Sequence, residues 1–165
     1  GVGCSIHPRG TIRQAHGKRM ETKRKIVAVS GGFDPLHVGH VELFREAKKL
    51  GDVLVVILNN DNWLMKKKTH IFMPQHERAE IIKALEMVDD VVLTDHTEDP
   101  EDMSVSETLR HIKPDIFANG GDRKTDNTPE DIVCAEFNIE MVFNLGQKIQ
   151  SSSWLLGDYL KKNKN

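Results

Sequence analysis

Ile26-Val27-Ala28-Val29-Ser30-Gly31-Gly32-Phe33-Asp34-Pro35-Leu36-His37-Val38-Gly39-His40 holds three kinds of local structure in fifteen residues. The unbroken apolar run Ile26–Val29 predicts a strand covered on both faces. Gly31 and Gly32 let the backbone turn sharply and come close to a ligand, and Pro35 stiffens the loop. A helix is expected over His40 to Leu50, with Val41, Phe44, Ala47 and Leu50 on one face and Glu42, Arg45 and Lys48 opposite. His37 and His40 therefore stand at or just before a helix start, where free backbone N–H groups and the helix dipole attract anions. Imidazoles three residues apart share one side of such a turn, so both can donate to a single phosphate. The other use of a histidine pair is metal ligation, and no third ligand lies nearby in sequence.

Outward from this segment the same alternation repeats. Strands are expected at Val53–Leu58, Asp90–Leu93, Pro114–Ala118 and Ile139–Phe143. Helices are expected at His76–Met87, Val105–Ile112, Pro129–Phe137 and Ser151–Lys161, the last capped by Ser151 or Ser152. Strands separated by helices pair in parallel through right-handed crossovers. The expected fold is α/β: a Rossmann-like, doubly wound, parallel five-stranded sheet in a single domain. Ligands of such sheets bind at the carboxyl ends of the strands, near the point where strand order reverses.

The chain has 165 residues and a formal net charge of −2, so no basic excess points to nucleic acid. Its two cysteines, Cys4 and Cys134, make neither a disulfide framework nor a zinc pattern, and a reduced, cytoplasmic setting is expected. The longest apolar run is far too short for a bilayer, and no membrane association is expected. Residues 1–24 are polar, basic and rich in breakers, and read as a flexible extension. Cys4, His7 and His16 lack the spacing of a metal cluster.

Three further groups fall at expected strand ends or helix starts. Lys66-Lys67-Lys68 follows the second strand on an expected loop; a charge run is ordinarily just solvated, but this one stands at the ligand end of the sheet. Asn119-Gly120-Gly121-Asp122-Arg123 follows the fourth strand. Gln150-Ser151-Ser152-Ser153 opens the last helix with more hydroxyls than a simple cap needs.

The segment Gly31–His40 resembles the signature of the nucleotidyltransferase superfamily. The likeness extends from Lys25 to about Leu156, through Ala47–Asp52, Ala84–Asp89, Lys113-Pro114-Asp115 and Asn119–Asp122. It is strongest towards the adenylyltransferase domain of ADP-heptose synthase and towards glycerol-3-phosphate cytidylyltransferase. The resemblance implies that residues 25–165 form a nucleotidyltransferase domain. It implies catalytic roles for His37, His40, Lys68 (Lys66 second) and Arg78, with Arg78 holding phosphate. It implies nucleotide contacts from Gly31, Gly32, Phe33, Asp34, Gly39 and Lys66. Gly120, Gly121 and Asp122 would lie beside base and ribose, and Ser151, Ser152 and Ser153 would grip the β- and γ-phosphates. Gln150 and Arg123 depart from the pattern.

The expected reaction moves a nucleoside monophosphate from CTP or ATP to a phosphorylated small molecule of sugar-phosphate or glycerol-phosphate type, releasing pyrophosphate. Mg²⁺ would bridge phosphate oxygens mostly through water, with no protein metal site. Pantetheine-phosphate, nicotinamide-mononucleotide and flavin adenylyltransferases are the enzymatic alternatives; a nucleotide-binding sensor without turnover is the non-enzymatic one. A homodimer is expected from the resemblance.

Overall fold

A computed structural model describes residues 22–121, 127–146 and 151–163. The expected extension falls almost wholly on residues 1–21, outside the described residues, as do Asp122, Arg123 and Gln150.

The chain alternates β1 (Ile26–Gly31), α1 (Val38–Lys48), β2 (Val53–Leu58), α2 (Asp61–Lys68), α3 (Gln75–Lys83), β3 (Asp90–Leu93), α4 (Ser106–Ile112), β4 (Ile116–Gly120), α5 (Pro129–Glu136), β5 (Glu140–Leu145) and α6 (Ser152–Lys162). All pairings are parallel and the sheet order is β3-β2-β1-β4-β5. Strand order therefore reverses between β1 and β4, and the first βα turn stands at that reversal.

Alternation along the strands sends side chains to two cores. Val27 and Val29 of β1 join Leu54, Val56 and Leu58 of β2 against Phe44 and Ala47 of α1 and Ile82 of α3. Ala28 and Ile57 join Phe117 against Leu109 of α4 and Val133 and Cys134 of α5. Covering on both faces is why β1, β2 and β4 read as continuous apolar runs. At the far end of the sheet, Asp115 accepts from Ile26 N and from Lys23, tying the start of β1 to the start of β4. Among the described residues no helix is long and apolar enough to cross a membrane.

Four of the departures from expectation bear on the site or its neighbours. Helix α1 begins at Val38 because His37 itself is the N-cap. Helix α3 stops at Lys83, and Ala84–Met87 continue as turns closed by Leu85 N to Ile82 O and Val88 N to Leu85 O. Strand β4 runs to Gly120, so Asn119 and Gly120 belong to the strand and not to the loop after it. Finally, Lys66–Lys68 do not lie on a loop: they form the last turn of α2. Asn60 Oδ1 caps that helix by accepting from Trp63 N, and Leu64 is its one buried anchor. Three lysines at a helix C-terminus also suit the negative end of its dipole.

Candidate active site

His37 and His40 close α1 by a reciprocal cap. His37 Nδ1 accepts from Gly39 N at 3.1 Å, and His40 Nδ1 accepts from His37 N at 3.3 Å. This is the geometry of a capping box with imidazoles in place of hydroxyl and carboxylate. Each Nδ1 is used as an acceptor, so the neutral rings carry their proton on Nε2. The two rings stack with centroids 3.6 Å apart and planes 22° from parallel. The pair therefore presents two N–H donors side by side.

Phe33 fixes the pair from below. Its ring meets His40 edge-on at 4.9 Å and Phe44 at 5.0 Å, and it is 5% exposed. A Cβ on Gly31 would sit 2.8 Å from that ring, so only glycine lets Phe33 fold back under the turn. Phe33 takes the left-handed region (φ 46°), and the Asp34–Pro35 peptide is cis.

Burial lowers the pKa of His40 to about 3, and the charges of His37 and Lys68 add to the effect. His37 is lowered as well, by burial and then by Lys68. Lys68 is lowered chiefly by burial; Asp34 opposes this and Arg78 reinforces it. Protonating either imidazole would also sacrifice its cap bond. His37, His40 and Lys68 thus converge in one place, and each is held towards its neutral form there, which suits a site for phosphate.

Around the pair opens a cleft of about 390 Å³, within the usual range for small-ligand sites. The β1 turn supplies Ser30, Gly31, Gly32 and Phe33, and α1 supplies His37, Gly39, His40 and Leu43. Helix α2 contributes Trp63 and Lys68, and the ends of β4 and β5 contribute Asn119, Gly120, Gly121, Leu145 and Gly146. Ser151, Ser152 and Ser153 close it from the start of α6. Ser151 Oγ caps α6 by accepting from Trp154 N, and Ser152 Oγ donates to Pro35 O at 3.0 Å. Lys68 Nζ donates to Asp34 O at 2.8 Å, across the same Asp34–Pro35 segment.

Twelve of the residues singled out from sequence meet here: Gly31, Gly32, Phe33, His37, Gly39, His40, Lys68, Gly120, Gly121, Ser151, Ser152 and Ser153. Asp122 lies outside the described residues. Three others have different places. Arg78 is wholly buried beneath the turn and does not line the cleft. Its guanidinium donates to Met73 O, Gly32 O and Asn59 O at 2.6–2.9 Å and to Asp61 Oδ1 at 2.7 Å, so four of its five N–H groups are taken up within the fold. Asp34 is likewise fully buried, and its carboxylate accepts from Phe72 N and Met73 N. Lys66 turns away and pairs with Asp99 outside the cleft. Arg78 and Asp34 shape the site from behind: a buried fork and a buried carboxylate are needed to satisfy the carbonyls and amides of an irregular turn.

Sequence reading did not find Trp63, Leu43, Leu145 or Gly146. The last two close a parallel strand, a position that the strand-end rule marks. Trp63 carried no signal, because its helix was read as a loop.

A cytidylyltransferase-like family model matches residues 28–153. A FAD synthase from Thermococcus sibiricus is 43% identical over 109 residues, covering 65% of this chain and 70% of that protein. The bifunctional protein HldE of Pelobacter propionicus is 36% identical over 136 residues, which are 81% of this chain but 25% of that longer protein. Among solved structures, a lipopolysaccharide core biosynthesis protein from Thermoplasma volcanium superimposes with a TM-score of 0.59 at 29% identity, over 76% of this chain and all of that one. With the histidine pair, the glycine turn and the serine-rich helix start on one cleft inside the matched span, the chain belongs to the cytidylyltransferase-like family and is a nucleotidyltransferase.

Proposed function

We propose that this enzyme transfers the adenylyl group of ATP to the terminal phosphate of a small-molecule acceptor. Support for the adenylyl group comes from the relatives: FAD, the product in the name of the first of them, contains one. The likeness to ADP-heptose synthase points the same way. The observation that carries the chemistry is the stacked pair His37–His40, two neutral N–H donors facing an open cleft.

An acceptor phosphate oxygen attacks the α-phosphorus in line. The new P–O bond forms as the bond to the bridging oxygen breaks, and pyrophosphate leaves with that electron pair. The nucleophile is already an anion, so no general base is required. His37 and His40 hold the α-phosphate as charge builds on its oxygens, by the logic of an oxyanion hole. Lys68 screens the approach of two phosphates, and the N-terminus of α6 with Ser151–Ser153 holds the leaving pyrophosphate.

Mg²⁺ enters this reading with the nucleotide. No carboxylate lines the cleft among the described residues, and these hold no cluster of three metal-ligating side chains, so the ion would be held by phosphate and water. A cytoplasmic setting and a homodimer belong to the same proposal. Trp154, Tyr159 and Leu160 of α6 are exposed apolar side chains that a partner copy could cover, and light scattering on the purified protein tests it.

Pyrophosphate release with ATP or CTP against FMN, a heptose or hexose 1-phosphate and glycerol 3-phosphate tests the reaction. Turnover with ATP on one of the acceptors is expected, and chelation of Mg²⁺ should abolish it. Turnover with CTP and none with ATP would overturn the adenylyl reading.

A further inference from the structure

Trp63 stands out among the cleft residues. Leu64 already anchors α2 in the core and Asn60 already caps it, so the helix does not need the indole for its own packing. Yet the indole is held firmly. Its Nε1 donates to Met103 O at 2.9 Å. Its six-membered ring lies against the glycine turn: a Cβ on Gly32 would come within 3.2 Å of Cζ3 and 2.8 Å of Leu64 Cδ2. The side chain stays partly exposed and lines the cleft. The other aromatic hydrocarbon ring there, Phe33, is buried under His40.

The side of the cleft matters. In-line displacement places the entering and leaving oxygens on opposite faces of the phosphorus. On the reading given above, pyrophosphate leaves towards Ser151–Ser153. The entering phosphate then needs contacts of its own, and Lys68 and Trp63 of α2 both line the cleft. A lysine and a rigid, half-open indole lining one cleft suit a ligand with a phosphate on one end and a ring on the other.

We propose that Trp63 is the specificity platform for the acceptor, stacking on the flat face of a ring carried by the phosphorylated substrate. This rests on the proposed adenylyl transfer, and it adds the class of acceptor: a ring-bearing phosphomonoester. An isoalloxazine and a pyranose both offer such a face, so FMN and a sugar 1-phosphate are separate arms of the test, with glycerol 3-phosphate as the ringless control.

The steady-state arm compares wild type, Trp63→Ala and Trp63→Phe. Trp63→Ala is expected to raise the KM of the ring-bearing acceptor about tenfold. The KM for ATP and kcat should move less than about twofold, and Trp63→Phe should recover most of the loss. The KM for glycerol 3-phosphate, if it is turned over, should not respond. Unchanged acceptor KM, or an equal rise for acceptor and ATP, overturns the platform. The binding arm needs no turnover. The chain has two tryptophans, and Trp154→Phe leaves Trp63 as the only one. Titration with FMN or sugar 1-phosphate should change its emission; with Trp63→Phe, which keeps Trp154, the response should fall away. If the acceptor perturbs Trp63 while no pyrophosphate is ever released, the platform stands and the transfer reaction falls. If pyrophosphate is released and Trp63 does not respond, the platform falls alone.

Discussion

His40 and Arg78 make opposite use of a nitrogen-rich side chain. His40 keeps one N–H for the cleft, and His40→Ala is expected to slow turnover about 100- to 1,000-fold, the loss typical of an oxyanion donor, and to cost about 1 kcal/mol of stability as its cap bond to His37 N is lost. Steady-state rates and a thermal melt on the same preparation check both halves. Burial and the neighbouring charges hold the His40 pKa at about 3. Its ring resonances in the ligand-free protein should therefore stay at their neutral position from pH 8 to pH 5 in an NMR titration. A titration midpoint near 6.5 would contradict the cap geometry. Arg78 spends four of its five N–H groups on Met73, Gly32, Asn59 and Asp61. Arg78→Met should cost about 3–5 kcal/mol in urea unfolding, because buried partners lose their donors. The sequence showed that an arginine opens α3 but not which way it points; direction is set by the fold of Gly32 and Asn59, distant in the chain.

Helices α1 and α6 bring their N-termini to one point, and both were legible from composition: a glycine turn before one, a run of serines before the other. Helix α2 was not. Asp61–Lys68 has no amphipathic stripe, and its single buried residue, Leu64, leaves no period to detect. Its existence depends on the Asn60 cap and on tertiary support, since Asp61 both accepts from Arg78 and donates its amide to Gln75 Oε1. Asn60→Ala should therefore loosen α2 by about 1 kcal/mol, the usual worth of an N-cap, and carry Lys68 and Trp63 out of position together. Hydrogen exchange at Trp63 and Leu64 reads that directly. Ser151→Ala removes the matching cap of α6 and is expected to weaken ATP binding while leaving acceptor binding alone.

Across the whole molecule, the histidine pair links stability to pH. Both imidazoles have lowered pKa values in the folded chain and ordinary ones, near 6.5, once unfolded. Below pH 6.5 the unfolded chain binds the extra protons, so stability falls as pH drops, by up to about 1.4 kcal/mol per pH unit for each imidazole that titrates only when unfolded. Urea midpoints measured from pH 7.5 to pH 5 should show that slope, and a protein lacking both histidines should lose most of it. The five-stranded parallel sheet itself was read correctly from alternating apolar runs, because a sheet covered on both faces writes its strands without polar breaks. The reversal of strand order between β1 and β4 carries a further consequence for inheritance and engineering. The wall with Lys68 and Trp63 comes from the first half of the chain, and the wall with Gly120, Leu145 and Ser151 from the second. Recombination at a single crossover near residue 100 would therefore exchange the wall with Lys68 and Trp63 while leaving the wall with Gly120, Leu145 and Ser151 intact.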